Sequence, residues 1–316
     1  MALPERSTAC LGRSSAPWAQ LARGVGLPTP HPGTGRRGDL TPLGKAATPP
    51  FAYARAPLGS LLSLMLFVVA ACGPRITQEN MERSFREYEL ARGLREEGNT
   101  PAALEHLRTS LDLNPQNAEA YLLLGWIQYE RANFPVAEQN LRRGVDLLVE
   151  QDRLGSTLAE ARNLLGVTLV ERGRYTEAIE ILRKSALDEM NTAPHLAWGN
   201  LGLAQQRAGD DAAALESFQE AVRLQPRFCI GWFRMGAVYA DRNDYERAEQ
   251  ALTRALDADP TCREAPQLQG AWRLRGEARA HLGFREEAVT DFERCIELGP
   301  GTPDGIGCQA LLDGAP

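Results

Sequence analysis

The chain has 316 residues, which is long enough for one large domain or two ordinary ones. Its first 72 residues hold seven of the 35 basic side chains, two of the 41 acidic ones and nine of the 20 prolines, so residues 73–316 carry 28 basic and 39 acidic groups, a formal charge of −11. Because such a surface repels phosphate backbones and gains nothing from anionic lipid heads, the composition argues against nucleic-acid binding.

Residues 1–54 are rich in proline, glycine and arginine and show no hydrophobic period. Such a segment is predicted to be disordered, because it cannot bury enough apolar surface to form a packed core. A secretory leader begins only a few residues before its apolar centre, so we expect translation to start further downstream, near Tyr53 to Leu58, at a codon other than ATG. We therefore exclude residues 1–54 from the predicted fold.

Residues 55–72 are predicted to be a signal peptide. An apolar stretch, LGSLLSLMLFVVAA, runs from Leu58 to Ala71 and is preceded by Arg55. Fourteen helical residues rise about 21 Å, which is too short to cross a hydrocarbon core of roughly 30 Å. The length instead fits the apolar region of a secretory leader, with a short buried helix as the alternative.

The leader ends in Val69-Ala70-Ala71-Cys72, which resembles a bacterial lipobox. The resemblance implies that the Cys72 thiol receives a diacylglyceryl group and becomes the acylated N-terminus after cleavage. Several acyl chains, at about 0.8 kcal/mol per buried methylene, anchor a protein firmly without a spanning helix. Gly73 is not the aspartate that marks inner-membrane retention, so the expected location is the periplasmic face of the outer membrane. The alternative is a plain signal sequence with an incidental cysteine.

After a predicted linker at 73–83, the chain repeats itself with a period of about 34 residues. The segments are 84–117, 118–158, 159–194, 195–228, 229–268 and 269–300. Their eighth positions are small: Ala91, Gly125, Gly166, Gly202, Gly236 and Gly276. Their twentieth positions are all alanine: Ala103, Ala137, Ala178, Ala214, Ala248 and Ala288. Their twenty-fourth positions are large and apolar: Leu107, Leu141, Leu182, Phe218, Leu252 and Phe292.

Helix packing and helix termination explain why these residue types recur at these positions. Small residues at positions 8 and 20 let two antiparallel helices approach closely, and the large residue at position 24 fills the seam between them. Proline at position 32, present in four segments, stops the second helix because it has no amide hydrogen to donate. Position 15 favours a left-handed turn between the helices in five of six segments. Its residues are Gly98, Ala132, Gly173, Gly209, Asn243 and Gly283.

This pattern resembles the tetratricopeptide-repeat (TPR) family, most closely in the fourth and fifth segments. The fourth carries Trp198, Gly202, Ala214, Phe218 and Pro226 at the family's positions. The resemblance implies an all-α fold, a superhelix of six helix-turn-helix repeats in which each repeat covers its neighbour's apolar face. Extra residues at about 151–157, 190–192 and 263–268 depart from the period. Residues 301–316 are expected to be a tail with only a short helical piece, from Ile306 to Leu312.

The sequence predicts no catalytic, metal or cofactor site. After the predicted signal peptide the histidines are His106, His195 and His281, each in a different repeat and without a second histidine or cysteine at metal-ligand spacing. The chain also lacks phosphate-binding and nucleophile motifs, so we expect a binding protein and no enzyme.

Four cysteines after the leader, Cys229, Cys262, Cys295 and Cys308, fall in the last third of the chain. An exported protein meets an oxidising compartment, so they allow up to two disulfides with three possible connectivities. Cys229 opens the first helix of repeat five and Cys262 follows its second helix, which brings them to the same end of an antiparallel pair. We therefore predict Cys229–Cys262 and Cys295–Cys308, with a buried Cys295 thiol as the alternative.

In TPR proteins the first helix of each repeat lines the concave face, mainly through positions 2, 5, 9 and 12. By this resemblance the predicted partner-binding groove consists of Tyr88, Leu122, Trp126, Tyr129, Asn163, Leu203 and Phe233. Trp126 and Tyr129, one helical turn apart, are the best predicted anchors because aromatic side chains dominate binding hot spots. The alternative is that several groove positions, Leu122 and Val167 especially, pack against adjacent helices.

A lipobox followed by six such repeats is similar to the type IV pilus biogenesis lipoproteins, as is the stretch from Ala91 to Val145. That family includes the pilotin that carries the secretin subunit to the outer membrane. The resemblance implies a secretin as partner, with the groove binding secretin monomers and promoting multimer assembly. Two alternatives are an envelope scaffold for outer-membrane protein insertion or peptidoglycan synthesis, and a lipoprotein that positions a hydrolase.

Overall fold

The computed structural model describes residues 76–314, and this range contains thirteen α-helices and no β-strand. The predicted signal peptide, Cys72 and the start of the predicted linker lie outside the described residues. Twelve helices form six helix-turn-helix pairs, and the thirteenth follows the last pair. Their bounds are α1 Gln78–Glu96, α2 Thr100–Leu113, α3 Ala118–Glu130, α4 Phe134–Glu150, α5 Ser156–Glu171, α6 Tyr175–Ala186, α7 Pro194–Arg207, α8 Asp211–Leu224, α9 Cys229–Asp241, α10 Tyr245–Asp257, α11 Gln269–Leu282, α12 Arg285–Leu298 and α13 Pro303–Asp313. The predicted all-α array of six repeats is confirmed.

The turn inside each repeat is left-handed at its fifteenth position, as the pattern predicts. Glycine adopts this conformation without steric cost, whereas Ala132 must accept some strain at φ 55°. Side-chain caps then start several second helices: the Asp210 carboxylate accepts a hydrogen bond from the Ala213 amide at 3.0 Å. The left-handed residues are Gly98, Ala132, Gly173, Gly209, Asn243 and Gly283.

The seam between paired helices is built from the predicted glycine and its large partner. A Cβ atom on Gly125 would lie 2.6 Å from the Leu141 Cγ, and one on Gly276 would lie 2.5 Å from the Phe292 Cε1. Real Cβ atoms do not approach so closely, so in these two repeats only glycine permits the observed helix spacing. The alanines of position 20 are fully or almost fully buried on the other side of the same seam.

A second recurring contact joins the start of the first helix to the end of the second. In repeat one the Ser110 hydroxyl donates to the Ser84 carbonyl oxygen at 2.8 Å. The same two positions, 26 residues apart, are hydrogen-bonded in repeats three and six. There, Ser185 Oγ donates to the Ala159 carbonyl oxygen at 2.6 Å, and Gln269 Nε2 donates to the Cys295 carbonyl oxygen at 2.7 Å.

Two borders differ from the sequence-based expectation. The predicted linker 73–83 is already helical from Gln78, where Glu79 in the first turn interacts favourably with the helix dipole. The tail is an 11-residue helix, α13, and not the short piece expected from Ile306. Its start is set by Thr302, whose hydroxyl accepts a hydrogen bond from the Gly305 amide at 3.0 Å, and by Pro303 at the first helical position.

The extra residues before repeat six form two short 3-10 turns, Pro260–Glu264 and Pro266–Leu268. They carry Cys262 and Leu268 into the core, where each is 1% exposed. Within the described range no helix has the combination of length and hydropathy that crossing a bilayer requires.

Candidate partner-binding face

The first helices of neighbouring repeats contact one another directly, in the order α3, α5, α7, α9, α11. Their short spacing places them on the inside of the curve, with the second helices outside. We call the surface formed by these five helices the inner face. It is the candidate site for a polypeptide partner, because TPR arrays bind along it.

The structure buries most of the residues predicted to line an open groove. Leu122 and Trp126 are 1% and 2% exposed, and both belong to the main hydrophobic cluster. Leu122 packs where Gly144 of the paired helix lacks a side chain. Tyr88, Leu203 and Phe233 are also buried, at 5%, 4% and 6% exposure. The prediction that these five residues are open groove contacts is therefore wrong, since their side chains are buried by packing against other helices of the array.

Trp126 is covered by a neighbouring repeat. The Arg95 guanidinium lies 3.3 Å from the centroid of the indole ring, a cation–π arrangement. Arg95 is in turn held by Glu130, with 2.5 Å between Nη2 and Oε1. Trp126 therefore links repeats one and two, and it is not available as a hot-spot anchor.

Tyr129 and Asn163 are half-buried on the inner face, so both remain accessible as predicted contacts. The Asn163 Oδ1 accepts a hydrogen bond from the Asn200 Nδ2 at 3.0 Å, which orients both amides. Burial and the Glu171 carboxylate raise the pKa of the Tyr129 hydroxyl, although Arg234 opposes the shift. The Tyr129 hydroxyl therefore remains a neutral hydrogen-bond donor at physiological pH.

Arg234 is the inner-face residue that the sequence reasoning missed. It lies on α9 at only 6% exposure, and its Nη1 donates to the Gly199 carbonyl oxygen at 3.1 Å. Burial, together with the charge of Arg207, lowers the pKa of the Arg234 guanidinium to about 10. A signal was present in the repeat alignment: the sixth position is arginine here but leucine in three other repeats. Those leucines are Leu123, Leu164 and Leu274.

An ion cluster outside the inner face joins repeats two and three. Glu138 on α4 is 4% exposed and pairs with Arg142, Arg172 and Arg174. Burial alone would raise the pKa of the Glu138 carboxyl, but the hydrogen bonds from Arg142 and Arg172 outweigh burial and lower it. The cluster ties the end of α5 to α4 of the preceding repeat.

The structure joins the two cysteine pairs that the sequence reasoning favoured. Cys229 is bonded to Cys262 and Cys295 to Cys308, with Cα–Cα distances of 6.2 and 6.3 Å. The first pair closes the loop around repeat five. The second fastens α13 across the end of α12.

No group of three or more histidine, cysteine, aspartate or glutamate side chains in residues 76–314 is placed to hold a metal ion. Asp291, at 1% exposure, is paired within the fold through the Arg275–Asp291 bridge, where Nη2 and Oδ1 are 2.7 Å apart. What the inner face offers is hydrogen bonding, apolar contact and local positive charge, which is the chemistry of recognition.

Family models described as tetratricopeptide repeat match residues 88–148, 158–187, 195–228 and 229–262. Together these matches span half of the chain. The type IV pilus assembly protein PilF of Pseudomonas aeruginosa is 27% identical over 174 residues, which is 54% of this chain and 66% of that protein. A UDP-N-acetylglucosamine–peptide N-acetylglucosaminyltransferase of Giardia intestinalis is 29% identical over 146 residues, 46% of this chain but 9% of that enzyme. The chain thus spans less than two thirds of either relative.

Two solved structures share the fold over nearly their whole length. The structure of Pseudomonas aeruginosa pilF aligns with a TM-score of 0.61 at 22% identity, covering 74% of this chain and 99% of that one. The structure of PilW, described as a widely conserved type IV pilus biogenesis factor, aligns with a TM-score of 0.60 at 16% identity, covering 72% and 98%. At these identities the likeness establishes the shared architecture.

Proposed function

Because the chain belongs to the tetratricopeptide-repeat proteins, we propose that it is a lipid-anchored pilus biogenesis factor that binds the type IV pilus secretin subunit and promotes its assembly. In this role the array catalyses nothing itself. It would hold a secretin monomer on its inner face at the outer membrane, which favours the localisation and multimerisation of that subunit.

The observation that carries the proposal is the 27% identity to the type IV pilus assembly protein PilF over 174 residues. The shared architecture with the PilF and PilW structures is consistent with it. The Val69–Cys72 lipobox adds support of a different kind, because a lipid anchor would confine the binding face to the periplasmic side of the outer membrane, where secretin rings form.

The test is a deletion of the gene followed by analysis of the secretin in envelope extracts. Secretin multimers resist heating in detergent, so monomer and multimer can be separated directly on a gel. We expect the deletion strain to lose the multimer and retain the monomer, with restoration by the wild-type gene. Normal multimers in the deletion strain would contradict a role in secretin assembly.

The anchor is tested separately with Cys72→Ala. The expected result is loss of the protein from the outer-membrane fraction, because no acyl chain can be attached without the thiol. A Gly73→Ala variant is the matched control, because it changes the neighbouring residue and keeps the Cys72 thiol and the Val69–Cys72 segment. Unchanged membrane association of Cys72→Ala would contradict the lipobox interpretation.

A further inference from the structure

Two buried arginines on neighbouring first helices differ in their partners: one is paired with a carboxylate and the other is not. Arg275 on α11 is 7% exposed and lies against Asp291, whose two carboxylate oxygens accept from Nε and Nη2 at 2.9 and 2.7 Å. Arg234 on α9 is equally buried, at 6% exposure, but its single hydrogen bond goes to a backbone carbonyl oxygen, that of Gly199. No carboxylate among residues 76–314 forms an ion pair with Arg234. Buried charges are normally paired, so the isolation of Arg234 requires an explanation.

The charged surroundings of Arg234 increase the imbalance. Arg207, half-buried in the last turn of α7, is close enough to disfavour the Arg234 charge, and within the described range it has no carboxylate partner of its own. The Glu171 carboxylate at the end of α5 interacts favourably with the Arg234 charge, but without a direct bond. The charges of Arg234 and Arg207 are thus opposed by the single carboxylate of Glu171, which leaves an excess of positive charge at this part of the inner face.

The site also has unused hydrogen-bond donors. A guanidinium carries five N–H groups in a planar fork, and only one of them in Arg234 has a partner among the described residues. A carboxylate is the group that fits this fork, because its two oxygens accept parallel hydrogen bonds. Such a bond is worth about 1.5–3 kcal/mol, or roughly 10- to 150-fold in affinity.

We propose that Arg234 and Arg207 form a carboxylate-binding point on the inner face, which takes an acidic side chain or the C-terminal carboxylate of the bound polypeptide. Tyr129, half-buried on the same inner face, adds a neutral donor. This inference rests on the proposal that the inner face holds a polypeptide, but it does not require that polypeptide to be a secretin. It also runs against the overall charge, since residues 73–316 carry −11 and would repel an acidic peptide elsewhere.

The experiment uses the full lipoprotein in detergent and three pools of fluorescent heptapeptides that differ only in their charged groups. The first pool has one aspartate or glutamate and an amidated C-terminus. The second is neutral with a free C-terminus, and the third is neutral and amidated. Fluorescence polarisation measures the affinity of each pool at two salt concentrations.

We expect one of the two carboxylate pools to bind at least about tenfold more tightly than the neutral amidated pool, with the preference weakening in high salt. The pool with the higher affinity shows whether the bound carboxylate is that of a side chain or that of the C-terminus. Arg234→Gln should remove most of this preference. Arg223→Gln is the matched control, because Arg223 is an exposed arginine on α8 paired only with Glu220.

If Arg234→Gln does not fold, Arg207→Gln provides an independent test. Arg207 is only half-buried, so we expect its replacement to leave the packing between α7 and α9 intact. Equal affinity for all three pools, no binding of any pool, or a preference that survives both substitutions would overturn the proposal. If the deletion strain keeps normal secretin multimers but the protein still prefers carboxylate peptides, the secretin is rejected as the partner and the carboxylate-binding point stands.

Discussion

The two ends of the repeat array are closed by different chemistry. At the N-terminal end, the Ser84 and Ser110 hydroxyls and the Asn117 amide form a buried network of neutral hydrogen bonds, 2.8–3.1 Å long. The outer residues of α1 remain open, with Phe85 at 54% exposure. At the C-terminal end, the Asp291 carboxylate lies between arginines at 1% exposure, and α13 is fastened through Cys295.

This difference arises because each end of the array must cover the surface that a further repeat would otherwise bury. A terminal repeat lacks one neighbour, so its outer apolar surface needs another cover. The C-terminal end supplies that cover from its own chain, as α13 bound by a disulfide to α12. The N-terminal end supplies no comparable helix within the described residues. Stability at the C-terminal end should therefore depend on buried charge and oxidation, whereas the Ser84–Ser110–Asn117 network at the N-terminal end should be insensitive to both.

The largest expected effect comes from Asp291→Ala, which leaves the Arg275 guanidinium buried without its partner. Loss of one member of a buried pair costs about 3–5 kcal/mol in the free energy of unfolding. Ser110→Ala, the corresponding change at the N-terminal end, should cost about 1–2 kcal/mol because the groups are neutral. Urea denaturation measures both, with Glu220→Ala as an exposed control. Equal losses of unfolding free energy in Asp291→Ala and Ser110→Ala would contradict the proposed difference between the two ends.

Reduction of the disulfides should affect the C-terminal end alone. A loop of the size closed by Cys295–Cys308 contributes about 2–3 kcal/mol. We expect Cys295→Ser and Cys308→Ser together to lower stability by that amount and to expose α13 to proteolysis. Alkylation and mass spectrometry of oxidised protein should find no free thiol at Cys229, Cys262, Cys295 or Cys308. Four free thiols in protein isolated under oxidising conditions would contradict both disulfides.

The helix seam should respond alike at both ends. Gly125→Ala and Gly276→Ala each place a methyl group against a neighbouring large side chain, so we expect about 1–3 kcal/mol of destabilisation. Gly93→Ala is the matched control: it lies within α1 with no atom within 4 Å of the added carbon, and it should be neutral or stabilising by up to about 1 kcal/mol. Thermal unfolding distinguishes these outcomes, and destabilisation by Gly93→Ala of equal size would contradict the packing argument.

The smallest effect is a pH dependence in repeats two and three. The pKa of the Glu138 carboxyl is lowered in the folded state, so its stabilisation is present above its ordinary pKa of 4.5 and is lost as the pH falls through the lower folded value. The contribution is about 1 kcal/mol or less, because the arginine partners reach solvent. Glu138→Gln should flatten the stability profile below pH 4.5. An unchanged profile would assign acid sensitivity to other carboxyl groups.

The fold was predictable because its determinants are local and repeat with one period. Glycine at position 8 and alanine at position 20 predict the seam, and the residue types at position 15 predict a left-handed turn in five of six repeats. The turn at Ala132 is also left-handed, although alanine does not favour it. The Cys229–Cys262 pair followed from the same helix geometry, and the Cys295–Cys308 pair from the expectation that the tail folds back on the last helix. The start of α1 at Gln78 was missed because it lies before the first repeat segment, where the 34-residue period gives no signal.

The inner face was less predictable, because exposure there depends on how tightly successive repeats curve. Trp126 looks like a hot-spot residue in the sequence, yet Arg95 from another repeat covers it. No spacing rule predicts that contact, since it depends on the angle between repeats. The isolation of Arg234 is likewise visible only once the neighbouring helices show that no carboxylate reaches it.

The most direct test of the central claim, that the inner face holds a polypeptide, is hydrogen–deuterium exchange of the full lipoprotein with and without the secretin subunit. We expect added protection in the first helices α7 and α9, around Arg207 and Arg234, with little change in α8 and α10 outside them. Protection confined to the second helices, or none at saturating partner, would contradict the claim.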